Sequence, residues 1–476
     1  MESTSLILIL RSFTKAELKR FGLFIQSPYF NKEKVLMKFT QILSENYPAF
    51  KITKEEAFQK LYPGKKYSDS FMRNIISDLL KHCEKFLAVN GLDKYQAKKK
   101  FLSELNKRNL NTLYLKNHLH LTKSISEFKF KNAEYFKELY EDLSEKNLNI
   151  LRSSDRYLKK TEYEEILKNL SLYFLINLLK HSSSEINARK YIRKSADYFK
   201  NENLPGDLIE NYFKEYEGIT YVKIYYCIYK ILKDDSEKHF KILKKFVEDK
   251  ADEIKDEDLS NIYSALSNFA YMKVISGDTG YTKEQFEISL NSIRKKLYKE
   301  EKGFLPHVSY LNVVITGLEV NRVTEVSEFI DEFSSELNDS YRDSTVNLAM
   351  ALISYKLKDY DEALNQLNKV NIEDYSFRQQ IRSLYLKIYF DLNESEPFYF
   401  HVDRYKHFIG ENKSIHESLK KNLNGYIFYT KKLFDIKNLI NKEEMAVQID
   451  ILKMELEKNS SVLNKNWLNE KMKDLI

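Results

Sequence analysis

The feature that most limits the fold of this chain is its scarcity of glycine and proline. Its 476 residues include only 11 Gly and 6 Pro. An all-β protein needs many tight turns built from these residues, and an α/β protein needs glycines where strands meet helices. The scarcity therefore predicts an all-α fold in which long helices are joined by short polar loops.

The composition is that of a chain that buries a hydrophobic core. Hydrophobic residues make up 43% of the sequence and charged residues 31%, and there are 34 Tyr and 30 Phe. Disordered chains have far fewer aromatic residues, so disorder is excluded. The two cysteines, Cys83 and Cys227, are too few for a disulfide scaffold. We interpret them as reduced thiols in or near helical cores.

The apolar segments are too short or too interrupted to enter a membrane. The longest early run, Leu6–Leu10, falls well below the roughly 20 residues that span a bilayer. No basic segment precedes this run and Arg11 follows it, so it does not have the form of a secretory signal. Lys168 and Asn169 interrupt one of the most apolar later stretches. We therefore predict a cytoplasmic protein with no membrane contact.

Residues 1–90 predict a compact, basic unit of four helices. Thr14 with Glu17, and Thr53 with Glu56, have the spacing of capping boxes, which begin helices. Apolar residues recur at helical spacing behind each of these starts. The predicted helices span residues 14–26, 32–46, 53–61 and 68–89.

The third and fourth of these helices, joined by a turn, resemble a helix-turn-helix. The predicted solvent-exposed face of the fourth helix carries Arg73, Asn74 and Lys81, and Lys65 and Lys66 lie just before the start of that helix. Arginine and asparagine can read base edges, and lysines beside a helix N-terminus can hold phosphate. These five residues are therefore candidate nucleic-acid contacts.

The charge distribution favours the same interpretation only weakly. Residues 1–120 hold 22 basic and 11 acidic residues in a chain whose net charge is +7, which is typical of a polyanion-binding end. However, the turn is longer than usual, and Asp69 and Asp78 lie on or beside the reading face. A solvated, lysine-rich surface is the simpler interpretation, and both stay open.

The rest of the chain predicts two further regions. Residues 91–205 form long amphipathic helices, and Pro205–Gly206 marks a boundary. From about residue 304 the sequence becomes repetitive, with its clearest unit at residues 347–370. Ala351 and Ala363 stand where a tetratricopeptide repeat packs its two helices closely.

The same pattern is found, more weakly, 37 residues before this unit and 35 residues after it. These offsets are close to the ~34-residue period of tetratricopeptide repeats. We therefore expect an N-terminal helical bundle followed, over residues 206–476, by an irregular α-solenoid of tetratricopeptide-like hairpins.

A stack of helix pairs builds a concave groove that binds peptides or partner helices. Four tyrosines on or near the predicted inner helices are candidate groove contacts: Tyr355, Tyr360, Tyr385 and Tyr389. Packing within the stack explains each of them equally well, because tyrosine suits either place. We expect the only tryptophan, Trp467, to cap the last hydrophobic layer.

Several phrases of the sequence together resemble an uncharacterised family of long, all-helical bacterial proteins with tetratricopeptide-like repeats. They are FTKAELKRF (13–21), SPYFNK (27–32), LYPGKKY (61–67), FMRN (71–74), the unit at 347–370 and NWLNEK (466–471). The resemblance spans nearly the whole chain in this order. It implies a shared helical architecture, and it brings no activity and no catalytic or binding residue with it.

The sequence shows no recognisable catalytic or metal-binding motif. It has no glycine-rich phosphate loop, no His-Glu-x-x-His and no Cys-x-x-Cys. We therefore predict no catalytic residue, no metal and no cofactor; carboxylates converging from distant helices are the one enzymatic alternative. Our main hypothesis is a non-enzymatic scaffold that binds a protein or peptide. The alternative is a nucleic-acid-associated regulator whose N-terminal unit binds DNA or RNA while the solenoid senses a partner.

Overall fold

The computed structural model describes residues 1–152, 162–191, 206–276, 278–298, 303–371, 375–412, 415, 417–459 and 462–475. Over these ranges the chain forms 23 α-helices and no β-strand, so the predicted all-α class is confirmed. No helix in this part of the chain is long and apolar enough to cross a membrane. The predicted boundary residue Pro205 lies outside the described ranges.

The helices follow one another with short connections. The first eight are α1 (Ser5–Ser12), α2 (Lys15–Gln26), α3 (Lys34–Ser44), α4 (Lys54–Leu61), α5 (Asp69–Asn90), α6 (Lys94–Lys107), α7 (Asn111–Ser126) and α8 (Ala133–Arg152). The next eight are α9 (Tyr163–Tyr191), α10 (Gly206–Tyr216), α11 (Thr220–Asp234), α12 (Glu237–Lys250), α13 (Asp256–Ile275), α14 (Tyr281–Arg294), α15 (His307–Glu319) and α16 (Val323–Phe333). The last seven are α17 (Arg342–Lys356), α18 (Tyr360–Asn368), α19 (Tyr375–Leu392), α20 (Ser395–Glu411), α21 (Glu417–Lys437), α22 (Lys442–Lys458) and α23 (Lys465–Asp474).

The chain divides into two compact units. One comprises residues 1–128 and 138–167, and the other comprises residues 129–137 and 168–476. In the first unit, α1 to α5 surround one core that contains Phe21, Phe39 and Leu79. In the second unit, consecutive helices from α11 to α22 pack against one another in chain order.

The helix boundaries of the N-terminal region follow from local sequence signals. The Thr14 side chain accepts a hydrogen bond from the Glu17 amide, and the Glu17 carboxylate accepts one from the Thr14 amide. Thr53 and Glu56 make the same reciprocal pair at the start of α4. Both predicted capping boxes are confirmed, and α2 to α5 begin and end within two residues of their predicted limits.

Three consecutive helix pairs of the second unit turn in the same way. Asn321, Lys358 and Asn393 adopt left-handed backbone conformations, with φ of 59°, 64° and 57°, and they are 37 and 35 residues apart. The amide of the next residue donates in each case to the carbonyl five positions earlier, at 2.8, 2.9 and 3.2 Å. This is the hydrogen bond that closes a helix at a left-handed residue.

The nine positions that the sequence aligned across these pairs are all buried: Val314, Val326, Ile330, Ala351, Ala363, Leu367, Leu386, Phe398 and Val402. Close approach of the helices explains the small residues. A Cβ atom added to Gly317 on α15 would lie 2.4 Å from Val326 Cγ2 on α16. Since real Cβ contacts are never so short, only glycine allows this packing.

The C-terminal region, residues 442–475, contains two helices. The first, α22, ends at Lys458, and the second, α23, begins at Lys465. Asn464, which precedes α23, has a left-handed φ of 54°, and a continuous right-handed helix cannot pass through that conformation. The turn lets α23 pack against both α21 and α22.

Candidate functional site

The predicted nucleic-acid contacts on α5 are partly neutralised by carboxylates of the same helix. The Arg73 guanidinium lies 3.0 Å from Asp69, and the Lys81 ammonium lies 2.9 Å from Asp78. Hydrogen bonds from Lys54 and Tyr67, together with the Arg73 charge, lower the pKa of Asp69. The hydrogen bond to Asp78 raises the pKa of Lys81, so Asp69 and Lys81 are both charged at neutral pH.

The other three predicted contacts are exposed and uncompensated. Lys65 and Lys66 lie in the turn before α5, and neither makes an ion pair within the ranges that the structure describes. The Lys65 ammonium lies 5.3 Å from the centre of the Tyr62 ring. Asn74 is exposed on α5. The available positive charge therefore lies at the turn and not along the helix.

The four candidate tyrosines form two pairs that do not share a groove. Tyr355 on α17 lies 6.0 Å from Tyr360 on α18, ring centre to ring centre, and its hydroxyl donates to Asp391 on α19 at 2.8 Å. Tyr385 and Tyr389 stack on each other at 5.9 Å along α19. At 100° per residue they project from the side of α19 opposite Asp391.

Helix α23 covers the face on which Tyr355 lies. The Trp467 indole donates to the Tyr355 hydroxyl at 2.7 Å, and its ring packs edge-on against Phe390 of α19 at 5.2 Å. Lys471 of α23 pairs with Asp391 at 2.8 Å. The chain's own helix thus occupies the position at which a partner was expected to meet Tyr355.

Electrostatics at this contact are those of a largely dry environment. Burial and the Asp391 charge raise the pKa of Tyr355, and burial and Asp391 raise the pKa of Tyr360 to about 12. Lys387, one helical turn before Asp391, lies 5.7 Å from the Trp467 ring. Removal from water lowers the pKa of this lysine. These groups are paired with one another, as in a contact that stabilises the fold.

The second tyrosine pair lies beside α20 and α18. Tyr385 stands 5.3 Å from the ring of His401, and its hydroxyl donates to Asn368 at 2.9 Å. Burial raises the pKa of both Tyr385 and Tyr389. Both rings are half-buried, so each keeps part of its surface available for contact.

Helix α22 has an exposed apolar stripe that the sequence analysis did not single out. Val447, Ile451 and Met454 are 58%, 41% and 54% exposed and recur at i, i+4 and i+7. They lie opposite the buried side chains of the same helix, which are Ile449, Leu452 and Leu456. The sequence signal that could have revealed this surface is a second apolar stripe on α22, because a surface helix normally has only one such stripe.

Carboxylates border this stripe on both sides. On a helical projection they are Glu443, Glu444, Asp450, Glu455 and Glu457. The exposed Lys458, four residues after Met454, adds one positive charge at the end of the stripe. Glu455 is paired with Lys432 of α21 at 2.8 Å. The remaining four make no ion pair within the described part of the chain. We call Val447, Ile451, Met454 and these five carboxylates the α22 face.

The possible metal ligands and the two cysteines can be located in the described residues. These residues contain no group of three or more His, Cys, Asp or Glu side chains placed to hold a metal ion. Cys83 and Cys227 are free and buried, and burial raises the pKa of both thiols to about 12. Thiols in this state are poor nucleophiles at neutral pH.

No protein-family model, curated protein or solved structure matches this chain. The resemblance to a bacterial helical family therefore stays a prediction from the sequence.

Proposed function

We propose that this protein is a non-enzymatic, cytoplasmic scaffold that binds a protein partner. Its architecture is taken to be an N-terminal helical bundle followed by an irregular α-solenoid of tetratricopeptide-like hairpins. The equivalent left-handed turns at Asn321, Lys358 and Asn393 support this, because they recur with the period of the buried positions. Stacked hairpins of this kind commonly bind peptides or helices.

The observation that carries the proposal is the α22 face. Three large apolar side chains project into solvent from one side of α22, while its other side is fully packed. Exposed apolar area costs about 25 cal/mol per Å² relative to burial. A partner that covers this stripe would recover that free energy.

The border of the α22 face specifies the chemistry of the partner. Five carboxylates flank three apolar side chains, so the complementary ligand is an amphipathic helix with an apolar stripe and basic flanks. Tyr385 and Tyr389 on α19 are proposed as further partner contacts. Tyr355 and Tyr360 are proposed to contact a partner only after α23 has moved.

A model peptide tests this assignment directly. The probe is a fluorescein-labelled amphipathic helix of leucine and lysine, titrated against the full chain by fluorescence anisotropy. We expect micromolar affinity that weakens with salt, and a loss of at least tenfold when Val447, Ile451 and Met454 are all changed to serine. A peptide with glutamate in place of lysine should not bind.

The control is Leu119→Ser, which removes an even more exposed apolar side chain from α7 and should leave the affinity unchanged. Equal binding of the lysine peptide by the triple variant and the unaltered chain would show that the α22 face is not the docking site. Equal binding of the glutamate peptide would remove the charge argument.

We propose a nucleic-acid-associated regulator as the second candidate function, supported by the uncompensated Lys65 and Lys66 before α5. Anisotropy of mixed DNA and RNA oligonucleotides at 50 and 200 mM salt tests it, because counterion release makes such binding salt-dependent. Lys65→Ala with Lys66→Ala should then weaken binding several-fold. Lys15→Ala with Lys19→Ala is the charge-matched control, and equal losses in both pairs would reject a specific contact.

A further inference from the structure

Three arginines converge where the first half of α19 packs against the second half of α20. Arg378 and Arg382 are four residues apart on α19, so they lie on one side of that helix. Arg404 belongs to α20, whose His401 and Tyr405 side chains lie at hydrogen-bond distance from the Arg382 and Gln379 carbonyls of α19. Arg378 and Arg404 are exposed, and Arg382 is half-buried between them. We call these three side chains the arginine cluster.

The middle guanidinium is held in place by an aromatic ring. Arg382 Cζ lies 4.7 Å from the centre of the Phe408 ring, and Phe408 is four residues beyond Arg404 on α20. The Arg382 Nε is buried and has no hydrogen-bond partner among the residues that the structure describes. Stacking on an aromatic face fixes the plane of a guanidinium while leaving its terminal nitrogens free to donate.

The cluster lacks the carboxylates that accompany other arginines of this chain. Those with an ion-pair partner within 3.5 Å are Arg11, Arg73, Arg108, Arg189, Arg322 and Arg342. Arg378, Arg382 and Arg404 make no ion pair within the described residues, although Asp403 is adjacent in sequence to Arg404. Burial and then the charges of Arg404 and Arg378 lower the pKa of Arg382.

We propose that the arginine cluster binds a doubly charged phosphate monoester carried on a side chain of a polypeptide partner. Three guanidinium groups can surround one phosphate and donate to its three terminal oxygens, and a dianion offsets more of their mutual repulsion than a phosphodiester does. The site is separate from the α22 face and does not depend on it.

The surface beside the cluster suits a polypeptide. Arg378, Arg382, Tyr385 and Tyr389 follow one another at i, i+4, i+7 and i+11 and form one stripe along α19. The stacked tyrosines lie beside His401 of α20. A peptide laid along this stripe would place its phosphate on the arginines and neighbouring side chains on the two rings.

The test uses the full chain and fluorescein-labelled degenerate peptides with a central phosphoserine or phosphotyrosine. We expect at least tenfold tighter binding than for the unphosphorylated peptides, and a loss of at least tenfold on Arg382→Gln. Arg382→Lys keeps the charge without the planar fork and should recover only part of the affinity. Arg20→Gln changes an exposed arginine of α2 and should have no effect.

A second readout does not depend on peptide sequence. His401 lies beside the cluster, and the charges of Arg382 and Arg404 help to lower its pKa. Saturation with phenyl phosphate should therefore raise the pKa of His401 measured by NMR, and Arg404→Gln should reduce that rise. Circular dichroism identifies any variant that fails to fold.

Two results would overturn the proposal. One is equal binding of phosphorylated and unphosphorylated peptides, together with an unchanged His401 titration. The other is an oligonucleotide that binds more tightly than every phosphopeptide and loses affinity on Arg382→Gln, which would assign the cluster to nucleic acid. Because the α22 triple variant leaves the cluster intact, failure here is distinguishable from failure of the scaffold assignment.

Discussion

Helices α5 and α19 both carry arginines at their surface, and the neighbouring residues on the two helices affect the arginine charge in opposite ways. On α5, the residue four positions before Arg73 is Asp69, whose carboxylate lies 3.0 Å from the guanidinium. On α19, the residue four positions before Arg382 is another arginine, Arg378. The first arginine is neutralised by its own helix, whereas the second is repelled by its neighbour.

The difference teaches that local pairing, and not regional net charge, decides which cations can meet a ligand. The basic N-terminal region has the larger excess of positive charge, yet two of its predicted contact residues, Arg73 and Lys81, pair with carboxylates one turn away. The second unit has no such excess, and it holds the arginine cluster, whose members make no ion pair within the described residues. Helical neighbours at i, i+3 and i+4 are the ones that matter.

The largest effect is expected where Trp467 of α23 packs against Phe390 of α19, the helix that carries Arg378 and Arg382. Trp467→Ala should lower the free energy of unfolding of the second unit by about 3–5 kcal/mol, because it removes a large buried ring and the bond to Tyr355. Urea denaturation followed by circular dichroism measures this. Trp467→Phe keeps most of the ring and should cost far less. Equal stability of the alanine variant would show that α23 does not hold α19.

A pH titration tests the charge at the cluster. Burial, followed by the Arg382 and Arg404 charges, lowers the pKa of His401 to about 4, whereas an unfolded histidine titrates near about 6.5. Protonation then favours the unfolded chain, so stability is full above pH 6.5 and falls as the pH drops from 6.5 toward 4. The loss is at most about 1.4 kcal/mol per pH unit.

The control for this titration is His401→Gln, in which the Gln side-chain amide replaces the imidazole hydrogen bond to the Arg382 carbonyl, 3.1 Å long in the native chain. The variant should lose less stability than the native chain between pH 6.5 and 5. If the variant and the native chain lose the same stability over this pH range, the surroundings of His401 do not lower its pKa.

A substitution that gives α19 the charge pattern of α5 sharpens the comparison. Arg378→Asp places a carboxylate four residues before Arg382, as Asp69 stands before Arg73. We expect phosphopeptide affinity to fall at least tenfold, about 1.4 kcal/mol, while thermal stability stays the same or rises slightly. Arg378→Gln removes the charge without adding a partner and should cost less. Equal affinities for all three chains would contradict the comparison.

The converse change on α5 should have the smallest effect. Asp69→Asn with Asp78→Asn releases Arg73 and Lys81, so oligonucleotide binding should strengthen a few-fold. Its dependence on log salt concentration should steepen by up to about 0.9 per released cation. Glu33→Gln with Glu45→Gln removes two exposed carboxylates elsewhere in the unit as a control. No difference between the two pairs would show that the ion pairs on α5 do not limit binding.

Local signals in the sequence predicted much of the fold. Capping boxes at Thr14 and Thr53 place their helices within one residue, because both partners lie within a single turn. The repeat offsets of 37 and 35 residues match the spacing of the left-handed turns, because buried positions and turns belong to the same hairpin. These are short-range regularities that one sequence can show.

The candidate sites depended on contacts between distant segments, which the sequence did not reveal. Tyr355 was a reasonable groove residue until α23, beginning 110 positions later, was seen to cover it. Likewise, nothing in the sequence around Arg382 indicates that Phe408 stacks on it. The spacing of residues along one helix predicts which side chains lie on the same side of that helix. Only tertiary packing decides which side stays exposed to solvent.

The bond between Trp467 and Tyr355 joins residues 112 positions apart, and this separation has a consequence during synthesis. Ribosomes add about 5–20 residues per second, so Tyr355 waits roughly 6–22 s before its tryptophan partner exists. Until Trp467 is added, the surfaces of α17 and α19 that α23 covers in the mature protein are uncovered on the nascent chain. These surfaces are therefore open to chaperones while the last part of the chain is being made.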